Sequence, residues 1–252
     1  MEPLEHPEDQ FVRDVSMPLE PEEHAIQLEL LRSFFGAEQK NILDLGCGAG
    51  RLLVPLRGTG HRVVGLDHEE RALALAAQAC GTQDDLVHQD LREDQPLLHG
   101  PFDAVLLLGN TLMELVSPHE VVGLLHRIKA CLSAQGVLII EDIPGLYWPL
   151  LSSGQWGDGE ADGFRMVWSD RDMIFSLREG QEAQDDGPLR SDEPQRRLWS
   201  ESLLQSVLAR AGWESSPSEN PLVRVVRPNN PNQWILARGR LPTRSRQHRL
   251  QQ

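Results

Sequence analysis

Cysteine is scarce. Cys47, Cys80 and Cys131 are the only three in 252 residues. They are too few and too far apart for a disulfide framework, and none forms a CxxC metal pair. They read as reduced thiols, and no metal centre is expected. Long apolar runs are also missing: nothing approaches the roughly 20 residues a membrane helix needs. The first residues place Glu2, Glu5, Glu8 and Asp9 ahead of Arg13, without the basic start and apolar run of a secretory signal. A cytoplasmic protein with no membrane partner is the expectation. Positive charge is short as well, with 24 Lys+Arg against 38 Asp+Glu and a formal net charge of −14. Such a surface repels phosphate backbones and anionic lipid, so no nucleic-acid partner is expected. A hydrophobic content of 40% with 25% charged residues excludes wholesale disorder and suits one domain with a large core, or two small ones.

No internal repeat is visible. The residues ahead of Glu22 are acidic and punctuated by Pro3, Pro7, Pro18 and Pro21, which reads as a loose arm or lid. From Glu22 apolar residues recur at helical spacing: Ala25, Ile26, Leu28, Leu30, Leu31 and Phe34. Between Asn41 and Glu141 strand and helix patterns alternate. Strands are expected over 42–45, 62–66, 86–88, 102–108 and 136–140. The fourth is almost wholly apolar, as suits a strand buried on both faces. Helices are expected over 51–56 and 69–80. Another opens at Ser117 with a capping box, Ser117 at the N-cap, Pro118 behind it and Glu120 at the third position. This rhythm predicts a parallel sheet with helices on both faces. Beyond Pro144 it breaks. Residues 164–169 and 173–177 read as a hairpin, and 180–194 as a mobile polar loop. Ser200–Ala211 reads as a helix stopped by Gly212. Residues 222–226 and 233–237 are the last strand candidates. The tail, with Arg238, Arg240, Arg244, Arg246 and Arg249, reads as a solvated end.

The informative stretch is Asn41-Ile-Leu-Asp-Leu-Gly-Cys-Gly-Ala-Gly50. A strand runs into a Gly-rich turn and then a helix. Ligands of such folds lie across the carboxyl ends of the strands, where the sheet order reverses. Gly46 and Gly48 allow close backbone approach, and Gly50 a tight helix start. Arg51 stands where a dinucleotide fingerprint wants its last glycine, and Asp44 would repel a pyrophosphate. A ligand with an ammonium group would welcome the same carboxylate. Val63-Val-Gly-Leu-Asp67 ends the next strand in an acid able to accept both hydroxyls of a ribose. Asp90-Leu91 follows a short strand, placed to accept an adenine amino group. Phe102-Asp-Ala-Val105 leads to Gly109-Asn110 at a fourth strand end.

In that order these residues resemble the class I S-adenosylmethionine-dependent methyltransferases, over about Asn41 to Ile143 and again from Leu198 to Ala237. The run Gly50-Arg-Leu-Leu-Val-Pro-Leu56 resembles the branch that methylates small molecules, and Pro55 is expected to kink the first helix. The resemblance implies an α/β fold: a doubly wound, seven-stranded, mostly parallel sheet with its last strand antiparallel, plus a small β-hairpin cap. It implies S-adenosylmethionine as cofactor and S-adenosylhomocysteine as product. Gly46, Cys47, Gly48 and Gly50 would line the methionine part, with Asp44 near its ammonium. Asp67 would hold the ribose, with His68 beside it in the cofactor-binding set, Asp90 and Leu91 the adenine edge, and Gly109 and Asn110 would approach the methionine portion and the reaction centre. The chain would divide into an arm and lid helix (1–40), a cofactor-binding core (41–145), a cap insertion (146–198), the rest of the core (199–240) and a basic tail (241–252).

The implied activity is methyl transfer to N or O of a small-molecule acceptor. Another group transfer from the same cofactor, or a non-catalytic cofactor-binding subunit, stays open. No catalytic residue is assigned. Glu114, His119 and Glu141 lie near strand ends where a proton could be taken. Tyr147, Trp148, Trp156, Trp168 and Trp199 concentrate in and beside the insertion although aromatics make up only 5% of the chain. They suit either an acceptor pocket or the hairpin's own core. Arg165 and Arg178 are candidates for a substrate carboxylate or phosphate. The candidates for acceptor contact are Glu114, Glu141, Trp148, Trp156, Arg165 and Trp168.

Overall fold

The computed structural model describes residues 21–109, 111–141, 164–169, 172–179, 181–215 and 223–228. Its centre is β1 (Asn41–Leu45), buried from Ile42 to Leu45. Beside it lie β2 (Arg62–Asp67) and β4 (Phe102–Leu107), both parallel to it. β3 (Leu86–His88) extends the sheet beyond β2, and β5 (Leu132–Glu141) extends it beyond β4, again in parallel. Two strands close the far side, β9 (Trp213–Ser215) and β10 (Val223–Pro228), with β10 antiparallel to both β5 and β9. The hydrogen-bonded order is β3–β2–β1–β4–β5–β10–β9. The order therefore reverses between β1 and β4, which opens a crevice at their carboxyl ends.

Alternation along the strands divides the core into two layers. Leu43, Leu45, Val105, Leu107, Leu138 and Ile140 point to one face. There α4 (Pro118–Cys131) and α5 (Glu201–Arg210) cover them with Val121, Leu124, Leu125, Leu204 and Leu208. Ile42, Val63, Ala104, Leu106 and Ile139 point to the other face. This layer is covered by α1 (Pro21–Phe35), α2 (Leu53–Gly58) and α3 (Glu70–Cys80). The capping box at Ser117 forms as expected: Ser117 Oγ accepts from His119 N at 3.2 Å, and Ser117 N donates to Glu120.

Two elements start elsewhere than the sequence suggests, and a third is not expected from it. α2 begins at Leu53, not Arg51. Proline explains this: a helical Arg51 would set its carbonyl against the Pro55 ring. Starting at Leu53 places Pro55 in the first turn, where a backbone N–H has no helical partner anyway, so the expected loss of a helical bond does not arise. β5 begins at Leu132, directly after α4, and its pairing with β4 shifts register between Phe102 and Ala104. A short 3₁₀ turn, Thr111–Glu114, follows β4. Trp199 Nε1 pins it by donating to Leu112 O at 3.0 Å.

The hairpin is present as β6 (Phe164–Trp168) and β7 (Ile174–Glu179), and a third strand, β8 (Arg196–Arg197), joins it. Two residues of β8 carry no readable alternation, so pattern alone missed it. Phe175 and Leu198 from this small antiparallel sheet pack on Met113 of the 3₁₀ turn. The stretch expected to be a mobile loop is instead built around a cation. Arg178 is 1% exposed and donates to the carbonyls of Asp185, Gly187 and Pro188 and to Glu193 Oε1. A buried guanidinium demands this saturation, because its five N–H groups lose water on burial. Arg178 thus belongs to the scaffold. The expected strand at 233–237, the N-terminal arm and the tail lie outside the described residues.

Arg178→Leu should leave Glu193 with only the more exposed Arg190 as its cation and free the carbonyls of the loop that Arg178 holds. Thermolysin cleavage within 181–195 should quicken at least about tenfold while the α/β core stays intact, the pattern expected of local opening. Unchanged cleavage would contradict the anchoring role.

Candidate functional site

The carboxyl ends of β1, β2 and β4 meet at the crevice. β1 leads into the glycine turn, where Gly46 and Gly48 adopt φ of 71° and 52°. The turn is fastened to β2 by Gly46 N and Cys47 N, which both donate to Leu66 O at 2.8 and 3.1 Å. At Gly46 the fold needs the absence of a side chain as well as the positive φ: a Cβ there would lie 2.5 Å from Thr111. The turn therefore leans directly on the segment after β4, across the point where the sheet order reverses.

Asp67 ends β2 and is 7% exposed. Its Oδ2 accepts from Gly48 N at 2.7 Å and its Oδ1 from Glu69 N at 2.9 Å. One carboxylate thus clips the glycine turn to the start of α3. Each oxygen retains acceptor capacity beyond these bonds, and Asp67 lines the crevice.

Asp44 lies one strand over, 3% exposed. Burial pushes its pKa up to about 7; the Arg51 guanidinium pulls it down, and Asp67 adds to the rise. Arg51 lines the same cavity. Its Nη1 bonds His24 Nδ1 at 2.8 Å and also Gln27 Oε1, both on α1. Burial, then Arg51, depresses the His24 pKa, which keeps the ring neutral near pH 7 so that Nδ1 can accept. Gln27 Nε2 donates to Glu141 Oε2 at 2.7 Å, and the same oxygen accepts from Gly109 N at 2.8 Å. Helix α1, the residue after the glycine turn, the end of β4 and the end of β5 therefore share one hydrogen-bonded network.

Asp90 and Leu91 line the cavity on its far side. Asp90 is engaged by its neighbour: Arg92 Nε donates to Oδ1 at 2.9 Å and Nη2 donates to Oδ2 at 2.6 Å. That contact is the main cause holding the Asp90 pKa below the ordinary carboxylate value. Gly46, Cys47, Gly48, His68, Gly109 and Glu114 also line the cavity. Gly50, at φ 84°, sits under Ala76 of α3 and serves the turn's packing.

The remaining sequence candidates are placed elsewhere. Glu141 is spent on Gly109 and Gln27. Arg165 is exposed, and its Nε donates to Ala183 O within the small sheet's surroundings. Trp168 packs against Phe175 with ring centroids 4.9 Å apart and planes tilted by 39°, in the small sheet's own cluster. Asn110, Trp148 and Trp156 lie outside the described residues. Sequence reasoning missed Thr111, Met113, Arg92 and Arg196, which line the cavity. It noted Arg51 only as a departure from a dinucleotide fingerprint. A cation directly after a glycine turn that carries a buried acid was the available signal. His24 and Gln27 had none, since their contacts cross a large stretch of chain.

Among the described residues no group of three or more His, Cys, Asp or Glu is arranged to hold a metal ion. No described helix is long and apolar enough to cross a membrane.

Comparison with known proteins agrees with this geometry. Residues 42–136 match the model of a methyltransferase domain family. An uncharacterized methyltransferase, sll0829 of Synechocystis sp., is 31% identical over 135 residues, which are 52% of this chain and 61% of that protein. The chain thus spans less than two thirds of that relative. A crystal structure of a S-adenosylmethionine-dependent methyltransferase from Clostridium acetobutylicum superposes with a TM-score of 0.60 at 14% identity, covering 88% of this chain and 98% of that one. The S-adenosylmethionine-bound CalS10, an amino pentose methyltransferase from Micromonospora echinaspora, superposes with a TM-score of 0.55 at 21% identity, covering 90% and 98%.

The buried acid makes the site pH-sensitive. Below about pH 4 Asp44 is protonated in folded and unfolded chains alike. As pH rises toward 7 the unfolded chain releases the proton first, so this residue costs folding stability across that window. An ammonium-bearing ligand favours the ionised form. Calorimetric titration with S-adenosylhomocysteine should therefore show affinity rising with pH, by up to about tenfold per unit, and levelling above about 7. Asp44→Asn should bind weakly with that rise removed; an unaltered pH profile in the variant would contradict the assignment.

Proposed function

We propose, from a core whose residues 42–136 match a methyltransferase domain family, that this protein is a Rossmann-like S-adenosylmethionine-dependent methyltransferase that transfers a methyl group to a nitrogen or oxygen of a small-molecule acceptor. The observation that carries this reading is the meeting, at one crevice, of a positive-φ glycine turn, a buried aspartate beside it and a strand-end aspartate that braces it. The residues suit the cofactor on their own chemistry. Asp44 offers a buried negative charge with a pKa pushed up to about 7, a cost that a bound ammonium would offset. Asp67 holds the turn through backbone N–H groups and keeps lone pairs for two ribose hydroxyls. Arg51, fixed by His24 and Gln27, is the cation placed for the cofactor's carboxylate. Leu91 supplies an apolar wall for the adenine. Asp90 reaches its amino group only if Arg92 yields one carboxylate oxygen.

When bound, the cofactor supplies a sulfonium-activated methyl group, open to in-line attack by an acceptor lone pair. The protein's task is then to orient and to exclude water. Proximity and orientation account for about 7–11 kcal/mol of a barrier in well-aligned systems. No dedicated base is required for an acceptor that presents a free lone pair. For one that arrives protonated, Glu114 is placed on the cavity wall, whereas Glu141 is committed to the Gly109 amide and His119 begins α4 as the backbone donor to Ser117.

Asp67→Ala should weaken S-adenosylhomocysteine binding about tenfold or more, given roughly 1.5–3 kcal/mol for a hydrogen bond to a charged group. Calorimetry on the full chain checks it, and an unchanged dissociation constant would refute the ribose assignment. The function itself is tested by incubating the protein with labelled S-adenosylmethionine and a metabolite mixture. Labelled small-molecule products seen by mass spectrometry are expected. With the donor labelled in both its methyl group and its methionine chain, label appearing only in an aminocarboxypropyl or other non-methyl product would overturn methyl transfer.

A further inference from the structure

Among the described residues three arginines line the cavity: Arg51, Arg92 and Arg196. Two are already committed. Arg51 is tied to α1 and faces the carboxylates of Asp44 and Glu141. Arg92 holds Asp90 through two nitrogens. The Arg196 side chain makes no hydrogen bond or ion pair with any described residue, although the residue is half-buried.

Its position is fixed from behind. β8 pairs with β7, opposing Arg196 to Phe175 and Arg197 to Ile174. Arg197 Nε donates to Val116 O, and its guanidinium lies 5.8 Å from the Trp199 ring centroid. Leu198, which follows β8 and donates its amide to Met173 O at 2.8 Å, is 1% exposed and packs with Met113. Met113 is itself a wall of the cavity. The small sheet thus delivers one uncommitted cation to the rim of a site whose other cations are spoken for.

We propose that Arg196 binds the acceptor, and that the acceptor carries an anionic oxygen group, a carboxylate or a phosphate. This rests on the methyltransferase reading and narrows its substrate class. A guanidinium fork matches either oxyanion in bidentate fashion, and partial burial strengthens the pairing over one in open water. The arrangement divides labour: the α/β core seats the donor, and the inserted sheet selects the acceptor by charge. It also gives β8 a purpose beyond extending the hairpin.

The test uses the full chain saturated with S-adenosylhomocysteine, titrated with inorganic phosphate, with acetate and with neutral acetamide, and followed by nuclear magnetic resonance. Saturable binding of phosphate or acetate but not acetamide is expected, and whichever ion binds more tightly identifies the acceptor's group. Arg196→Gln should weaken that binding at least about tenfold, and Arg196→Lys should restore part of it. Circular dichroism confirms that each variant is folded. Binding of neither ion, or equal binding by Arg196→Gln, would overturn the proposal. So would a tenfold loss of S-adenosylhomocysteine affinity in Arg196→Gln, which would assign the residue to the donor. Should the wild-type protein fail to bind S-adenosylhomocysteine, the methyltransferase reading falls, and the same ion titration on the free protein still decides whether Arg196 forms an anion site.

Discussion

The site depends on one carboxylate doing two backbone jobs. Asp67 accepts the amide of Gly48 with one oxygen and that of Glu69 with the other. Each amide belongs to a turn that leaves the sheet and has no strand partner for it. An unmade bond to a buried amide costs about 1–3 kcal/mol, so these turns would drift without the clip. The glycine turn can then hold its positive φ values and press against Thr111. The glycine turn and the start of α3, which flank the crevice, are placed by this pair of bonds.

A second constraint is the price of burying Asp44. Its carboxylate sits in a core strand among Ile42, Leu43 and Leu45, where an apolar residue would stabilise the fold better. Arg51 relieves part of that burden and is itself steadied by α1. The electrostatics of the crevice and the docking of the first helix are therefore one problem with one solution. A fold tuned only for stability would have no reason to keep either group.

Much of this was legible beforehand. The strand–helix alternation over 41–141 and the positions of Asp44, Gly46, Gly48 and Asp67 follow from local pattern, because turns and strand ends are written in residues a few positions apart. The capping box at Ser117 was readable for the same reason. What escaped was long-range or short of period. β8 has too few residues to alternate. The tie from Gln27 to Glu141 crosses most of the domain, and Arg178 looked like a surface or substrate arginine because nothing local announces the carbonyls that saturate it. The late start of α2 was in principle accessible from Pro55, had the missing donor been weighed against the position of the first turn.

Glu141 Oε2 receives both the Gly109 amide and the Gln27 side chain. A single acceptor atom thus joins the peptide that follows β4 to the helix that precedes β1. Moving that peptide by an ångström drags the oxygen and slackens the tether on the helix; lifting the helix frees the oxygen to reorient on the peptide. The seating of the first helix and the shape of the crevice wall at Gly109 are consequently coupled through one oxygen, although no described residue of that helix lines the cavity itself.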